Sequence, residues 1–236
     1  MARLARLAVP GLPHHLIQRG LNRQPIVADD QDRQRLLDDL RECAATYKVQ
    51  VHAYVLMDNH LHLLATPETG DGLSRMMQAL GRRYVAAFNK RHGRSGTLWD
   101  GRFRAAPIEA STYLLACMRY LELNPQRAQL GGQPADYLWS SAAHHLGLRR
   151  DPLVYDHALF WAMGNTPFER EMAWRQWLEQ GCAASEWKAL TEAAHKGWPL
   201  GSAAFLKGLA DETDRPVQPR KRGRPAGRRA LPAAVE

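Results

Sequence analysis

Residues 49–66 constrain the fold more tightly than any other stretch. Positions 49–57 alternate as a strand, Asp58-Asn59 makes a tight turn, and 60–66 return as its hairpin partner. A hairpin alone cannot hide both faces from water, so the flanking segments must cover it. Upstream, HHLIQ over 14–18 reads as a short strand. Residues 19–23 then turn into a second extended piece at 25–27. Asp29 or Asp30 caps a helix that runs to Tyr47, with Leu36, Leu37, Leu40 and Cys43 as its apolar stripe. Downstream, the spacing of Leu73, Met76, Met77, Leu80, Val85 and Phe88 predicts a helix over 72–90, ended by Gly93 to Gly96. A strand over 98–108 and a helix over 111–123, stopped near Pro125, complete the series. The order β-α-β-β-α-β followed by a helix is that of an α+β, ferredoxin-like fold. Fold alone does not fix function.

The character changes after Gly131-Gly132. Trp139, Trp161, Trp174, Trp177, Trp187 and Trp198 punctuate helical stretches such as 168–180 and 185–195. Residues 216–236 are rich in Pro, Arg and Ala, hold no aromatic side chain, and read as disordered. The expected organisation is therefore a domain over 1–130, a helical extension over 131–214 and a basic tail over 215–236. With 236 residues, 45% of them hydrophobic, the chain can bury a core without staples. It has no run of about 18 apolar residues and no signal-peptide h-region, so a cytoplasmic protein with no membrane partner is expected. Cys43, Cys117 and Cys182 are odd in number and far apart, which argues for small buried side chains over a disulfide framework or a thiolate zinc site.

The net charge of +8 is unevenly placed. Residues 1–130 carry 18 basic and 12 acidic side chains, a net +6; residues 131–214 carry 7 and 11, a net −4; residues 215–236 carry 7 and 1, a net +6. Only a localised field marks a binding surface. Between Arg75 and Arg104 lie Arg75, Arg82, Arg83, Lys90, Arg91, Arg94, Arg102 and Arg104, against the single acid Asp100. Such a run either follows a phosphate backbone or is a solvated cationic face.

His60-Leu61-His62 is the sharpest chemical signal. On a strand of period two both imidazoles project from one face while Leu61 enters the opposite layer. Two histidines so placed can share a divalent cation, or they can be two satisfied, half-buried side chains. On the helix over 111–123, Tyr120 and Asn124 are four residues apart and share a face. Leu114, Cys117, Met118 and Leu121 form the stripe beside them, so that stripe should dock on the sheet with Tyr120 and Asn124 along its edge.

At these residues the sequence resembles the single-tyrosine HUH transposases of bacterial insertion sequences, and most closely their domesticated branch, the REP-associated tyrosine transposases. The resemblance rests on His15 with Gln18-Arg19-Gly20 and Asn22-Arg23, on VLMDNHLHLL over 55–64, on GTLWDGRFR over 96–104 and on YLELNPQRAQL over 120–130. Trp139-Ser140-Ser141 and KGWPLG over 196–201 resemble the helical extension of one subgroup. It implies metal-dependent cleavage and rejoining of single-stranded DNA at REP-like palindromic hairpins, in DNA transposition or REP element processing. His60 and His62 match the HUH pair, Asn124 matches the amide ligand for a divalent cation (Mg²⁺ or Mn²⁺), and Tyr120 matches the nucleophile that forms a 5′-phosphotyrosine. Phe103 replaces a tyrosine of many relatives and Asn124 replaces a common Gln; neither removes a group the chemistry needs.

The implied partners are single-stranded DNA hairpins and adjoining duplex DNA, with a monomer favoured and a nucleoid-associated location. Arg19, Arg23, Arg75, Arg82, Arg83, Arg102 and Arg104 are the candidate phosphate contacts, and Trp99 or Phe103 either stacks on an unpaired base or packs in the core. In the tail, PRKRGRP over 219–225 resembles an AT-hook whose Arg222 and Arg224 would enter an A·T-rich minor groove; a nonspecific polybasic arm is the alternative. The competing functional reading is a sequence-specific DNA-binding regulator that keeps the fold and does not cut.

Overall fold

A computed structural model describes residues 6–213 and 215–218. The tail motif with Arg222 and Arg224 lies outside the described residues. Strand β1 (His14–Arg19) leads through a single turn of 3-10 helix (Leu21–Arg23) to α1 (Asp30–Thr46), and the hairpin β2 (Val49–Met57) and β3 (His60–Pro67) follows. Then come α2 (Gly72–Arg91), β4 (Arg104–Pro107) and α3 (Ala110–Glu122). All four strands form one antiparallel sheet in the order β2-β3-β1-β4, as the ferredoxin-like expectation requires.

Helix α1 begins where the sequence places it, because the Asp29 carboxylate accepts the Asp32 N–H and so satisfies an otherwise orphaned donor. The extended piece expected at 25–27 pairs with no strand, although its Ile26 and Val27 are buried. Only Arg104–Pro107 of the strand expected over 98–108 joins the sheet. The preceding loop contains Gly96 and Gly101 at φ of 82° and 70°, which no extended strand adopts, and its backbone meets the end of β1 at the isolated bridge of Gly20 with Trp99. Gly20 is held small by packing: a Cβ there would stand 2.2 Å from the Gln24 carbonyl oxygen.

The sheet is covered on both faces. Leu16, Leu61 and Leu63 face α1 and α2, packing with Leu36, Leu40, Met76 and Leu80. Ala53, Val55 and Leu64 face α3 and meet Leu114, Cys117, Met118 and Leu121. A β-bulge between Val51 and Ala53 resets the alternation of β2, so Val51 and Tyr54 serve the first core while Ala53 and Val55 serve the second. Cys43 and Cys117 are buried as expected, whereas Cys182 is only half-buried.

Beyond α3 follow short helices α4 (Asn124–Arg127), α5 (Ala142–His145) and α6 (Ala158–Trp161) and longer helices α7 (Pro167–Glu179), α8 (Ala184–Lys196) and α9 (Ala203–Glu212). Phe160, Trp174, Leu178 and Leu190 from this region join the α3 side of the core. The Trp139-Ser140-Ser141 segment lies along the open edge of β2: Leu56 N–H donates to the Trp139 carbonyl at 2.8 Å and Ser141 N–H to the Tyr54 carbonyl at 3.0 Å. That segment blunts an edge that would otherwise present unpaired backbone. Among the described residues no helix is long and apolar enough to cross a membrane.

Two buried histidines make stability depend on pH. His14 Nδ1 donates to the Leu12 carbonyl at 2.7 Å and its Nε2 accepts the Val9 N–H at 3.2 Å. His52 Nδ1 donates to the Tyr155 carbonyl at 2.8 Å, and its Nε2 accepts from the Thr66 hydroxyl at 2.8 Å. Both rings are satisfied as neutral imidazoles, and burial pulls each pKa from 6.5 to about 4. Below pH 6.5 the unfolded chain takes up protons that the fold refuses, so this stability is complete above that value and is lost as pH falls toward 4. The thermal midpoint is therefore expected to drop steadily across that window, and a flat profile would contradict the assignment.

Candidate active site

Strand β3 places His60 and His62 on its α3 side with Leu61 buried on the other, as its period of two requires. The two rings sit 4.9 Å apart between centroids. Asn59 in the hairpin turn accepts a proton from His60 Nδ1 at 2.6 Å, which leaves His60 Nε2 as a bare lone pair. His62 Nδ1 meets His15 Nε2 of the neighbouring β1 at 2.8 Å. Burial depresses both pKa values, that of His60 to about 4, assisted by the Arg19 cation across the strand pair. Both imidazoles are thus neutral at pH 7, the form that ligates a cation.

Helix α3 brings Tyr120 to the same place. Its ring lies 5.9 Å from the His62 ring and 5.4 Å from that of His15. Asn124 follows one turn later at the start of α4, half-buried, with its Nδ2 enclosed and without a hydrogen-bond partner. The expected stripe does dock on the sheet, but the Tyr120 face is not left open at an edge. Helix α8 lies across β1, β4 and α3 and closes over it. The Trp187 ring stands 4.2 Å from that of Tyr120, whose hydroxyl pairs with the Thr191 hydroxyl at 3.3 Å. Tyr120 is 3% exposed, and burial raises its pKa above 10.

Sequence reasoning foresaw a helix over 185–195 and missed its place in the site. Arg119 pairs with Glu186 at 2.7 Å, the Arg127 guanidinium lies 3.4 Å from the Trp187 ring centre, and Arg104 donates to the His195 carbonyl at 2.8 Å. His195 acts electrostatically on His15, His60 and His62. The available signal was Trp187 and Thr191 at i and i+4 on one helix, too common a pattern to single out.

The candidate phosphate contacts divide into groups. Arg19 sits opposite His60 in the strand register, and the exposed Arg23 occupies the adjoining turn at φ 61°. Arg75, Arg82, Arg102, Trp99, Phe103 and Gln18 line a cleft of about 710 Å³ on the α2 side of the sheet, opposite the histidines. Within the basic run Arg83 pairs with Glu42 at 2.8 Å and Arg75 with Asp71 at 3.5 Å, while Arg91 pairs with Asp29 and Asp32. The run is therefore less cationic in three dimensions than on paper. Trp99 packs against the core beside Tyr84, and Phe103 is buried beneath the Arg6 guanidinium.

A second cluster is also rich in donors. His144, His145 and Asp156 hold ligand atoms within 4.8 Å of one another. The hydrogen bonds assign them to structure. His144 Nδ1 accepts the Asp151 N–H at 3.0 Å, so its Nε2 carries the proton that goes to Asp156 at 3.2 Å and has no lone pair for a metal.

The family profile described as IS200-like transposase matches residues 8–124. Among solved structures, a REP-associated tyrosine transposase bound to a REP hairpin is similar at 17% identity, with 67% of this chain and 96% of that chain covered and a TM-score of 0.54. A protein of Deinococcus radiodurans named for its likeness to transposases aligns at 24% identity over 55% of this chain and 92% of its own, with a TM-score of 0.36. No curated protein sequence matches. The histidine pair, the helix tyrosine and the sheet that unites them all fall within or at the border of the matched residues, and the chain belongs to the IS200-like transposases, with the fold of a REP-associated tyrosine transposase.

Proposed function

We propose that the protein cleaves and rejoins single-stranded DNA at REP-like hairpins, with Tyr120 as nucleophile and His60, His62 and Asn124 as ligands of a divalent cation. The observation that carries this reading is the convergence of Tyr120 on His62, from a helix and a strand remote in sequence, with ring centres 5.9 Å apart.

The residues present fit such a cation. His60 Nε2 is bare by virtue of Asn59, and both histidines are neutral. Oxygen ligands from phosphate and the Asn124 carbonyl would suit Mg²⁺ or Mn²⁺ alongside the two imidazoles. When bound, the cation supplies charge stabilisation at the phosphoryl oxygens. The chain itself does the rest. Tyr120 attacks phosphorus, the leaving 3′ oxygen departs as a hydroxyl, and the 5′-phosphate remains on the tyrosine. Because the phosphodiester energy is retained, a second 3′-OH reverses the step without ATP. Arg19 beside His60 and Arg23 beyond it supply cations where the backbone would enter.

In this reading residues 1–130 form the catalytic domain, 131–214 an extension that closes over it, and the tail over 215–236 a duplex-binding arm. A non-cleaving DNA-binding protein is the second reading, favoured by one observation: at 3% exposure Tyr120 cannot meet a phosphate until α8 shifts.

Labelled single-stranded hairpin DNA incubated with Mg²⁺ or Mn²⁺ separates the two. An SDS-resistant protein–DNA adduct is expected, and hairpin binding without any adduct would support the second reading. Joint His60→Ala and His62→Ala substitution is expected to abolish the adduct while a gel-shift assay still detects hairpin binding. Cleavage retained in that variant would refute the cation site.

A further inference from the structure

His15 lies within the matched family segment, yet the proposed chemistry assigns it no part. It is fully buried on β1, strand neighbour to β3, and its ring meets that of His62 edge to edge, with centroids 5.1 Å apart and planes inclined by 26°. The 2.8 Å contact between His15 Nε2 and His62 Nδ1 holds one proton between two nitrogens, and the two possible arrangements have opposite consequences. If the proton belongs to His15, His62 is a neutral ring protonated at Nε2, and the nitrogen turned away from His15 has no lone pair to offer. If it belongs to His62 Nδ1, then His62 Nε2 is bare. In that second arrangement His15 carries its own proton on Nδ1. That atom is enclosed and lacks a hydrogen bond of full geometry. The Leu190 carbonyl of α8 lies close enough to favour a proton on the His15 ring.

We propose that His15 is a positioning residue: it accepts the Nδ1 proton of His62 and thereby fixes the His62 tautomer whose Nε2 can ligate a cation. The Asn59 carboxamide does for His60 what His15 does for His62, so both imidazoles present the same nitrogen. Orienting partners of this kind are worth about 10- to 100-fold in metal affinity. Helix α8, which covers Tyr120, also packs against β1 beside His15. This inference rests on the reading of His60 and His62 as ligands.

Two measurements on the full chain test it. Calorimetric titration with Co²⁺ alone, which imidazole sites bind more tightly than Mn²⁺, is expected to show weakening of about 10- to 100-fold in His15→Phe. His15→Gln, which can still accept the His62 proton through its carbonyl oxygen, should fall between that variant and wild type. Joint His60→Ala and His62→Ala substitution should remove the site. If it does so while His15→Phe binds like wild type, the positioning role is wrong and the ligand assignment stands. If the double variant binds Co²⁺ like wild type, the ligand assignment fails and this inference falls with it. Long-range ¹H–¹⁵N correlation spectra of wild-type protein with ¹⁵N-labelled histidine need no substitution. They are expected to show His62 protonated at Nδ1 at neutral pH, and an Nε2-protonated His62 would overturn the proposal.

Discussion

Tyr120→Phe is expected to lower covalent adduct formation by at least about ten-thousand-fold, because in the proposed reaction the Tyr120 phenol supplies the attacking oxygen. The substitution is clean for structural reasons. The phenyl ring keeps its place 4.2 Å from Trp187 and its edge contacts to His15 and His62. What is lost is the 3.3 Å pairing with Thr191 and a weaker contact with the Asn124 amide, together worth about 1 kcal/mol. Hairpin binding and the thermal midpoint should therefore hold while the adduct disappears, as read on a denaturing gel with end-labelled DNA. An undiminished adduct in Tyr120→Phe would remove Tyr120 from the chemistry.

The second large effect lies two residues further along α3. Glu122 is fully buried, and its carboxylate accepts from the Ser141 hydroxyl at 2.6 Å, from His145 Nδ1 at 2.5 Å and from the Trp174 indole N–H at 2.8 Å. Side chains two apart on a helix point to nearly opposite sides. One helix thus offers Tyr120 to the histidine pair and Glu122 to α5, α7 and the β2-edge segment. Glu122→Ala leaves the His145 and Trp174 donors in the core without an acceptor, and Ser141 with only a 3.4 Å contact to the Tyr54 carbonyl. A loss of about 3–5 kcal/mol is expected, a large share of the roughly 5–15 kcal/mol that holds a typical domain together. Urea unfolding followed by circular dichroism measures it, and a loss under about 1 kcal/mol would mean that water or a rearranged partner replaces the carboxylate. Glu122→Gln should fall between, since its single carbonyl can serve some but not all of the donors.

Glu122 also shows where sequence reading stops. The β-α-β-β-α-β order, the helix stripes and the shared face of His60 and His62 follow from local periodicity and were legible, as the packing of Leu61, Leu40 and Leu80 shows. The shortening of the strand expected over 98–108 to Arg104–Pro107 was not, because Gly101 breaks it through left-handed backbone that apolar patterning does not report. Helix α8 was legible as a helix, but nothing local says that Trp187 and Thr191 close over Tyr120. That contact spans 71 residues of chain and is set by how α8 crosses β1 and β4. For the same reason the Tyr120 face looked like an open edge. A pairing such as His15 with His62 across 47 residues depends on strand register, which the sequence leaves unstated.

The burial of Tyr120 sharpens the functional question. The proposed role of Tyr120, at 3% exposure under Trp187 and Thr191, requires that α8 move before DNA is cut, while the IS200-like domain brings the histidine pair and the tyrosine together. The most direct measurement is to incubate the wild-type protein with single-stranded hairpin DNA and Mn²⁺, digest the adduct with protease and nuclease, and locate the modified residue by mass spectrometry. A nucleotide joined through phosphate to Tyr120 is the predicted result. An adduct on any other residue, or hairpin binding with no adduct at all, would contradict it.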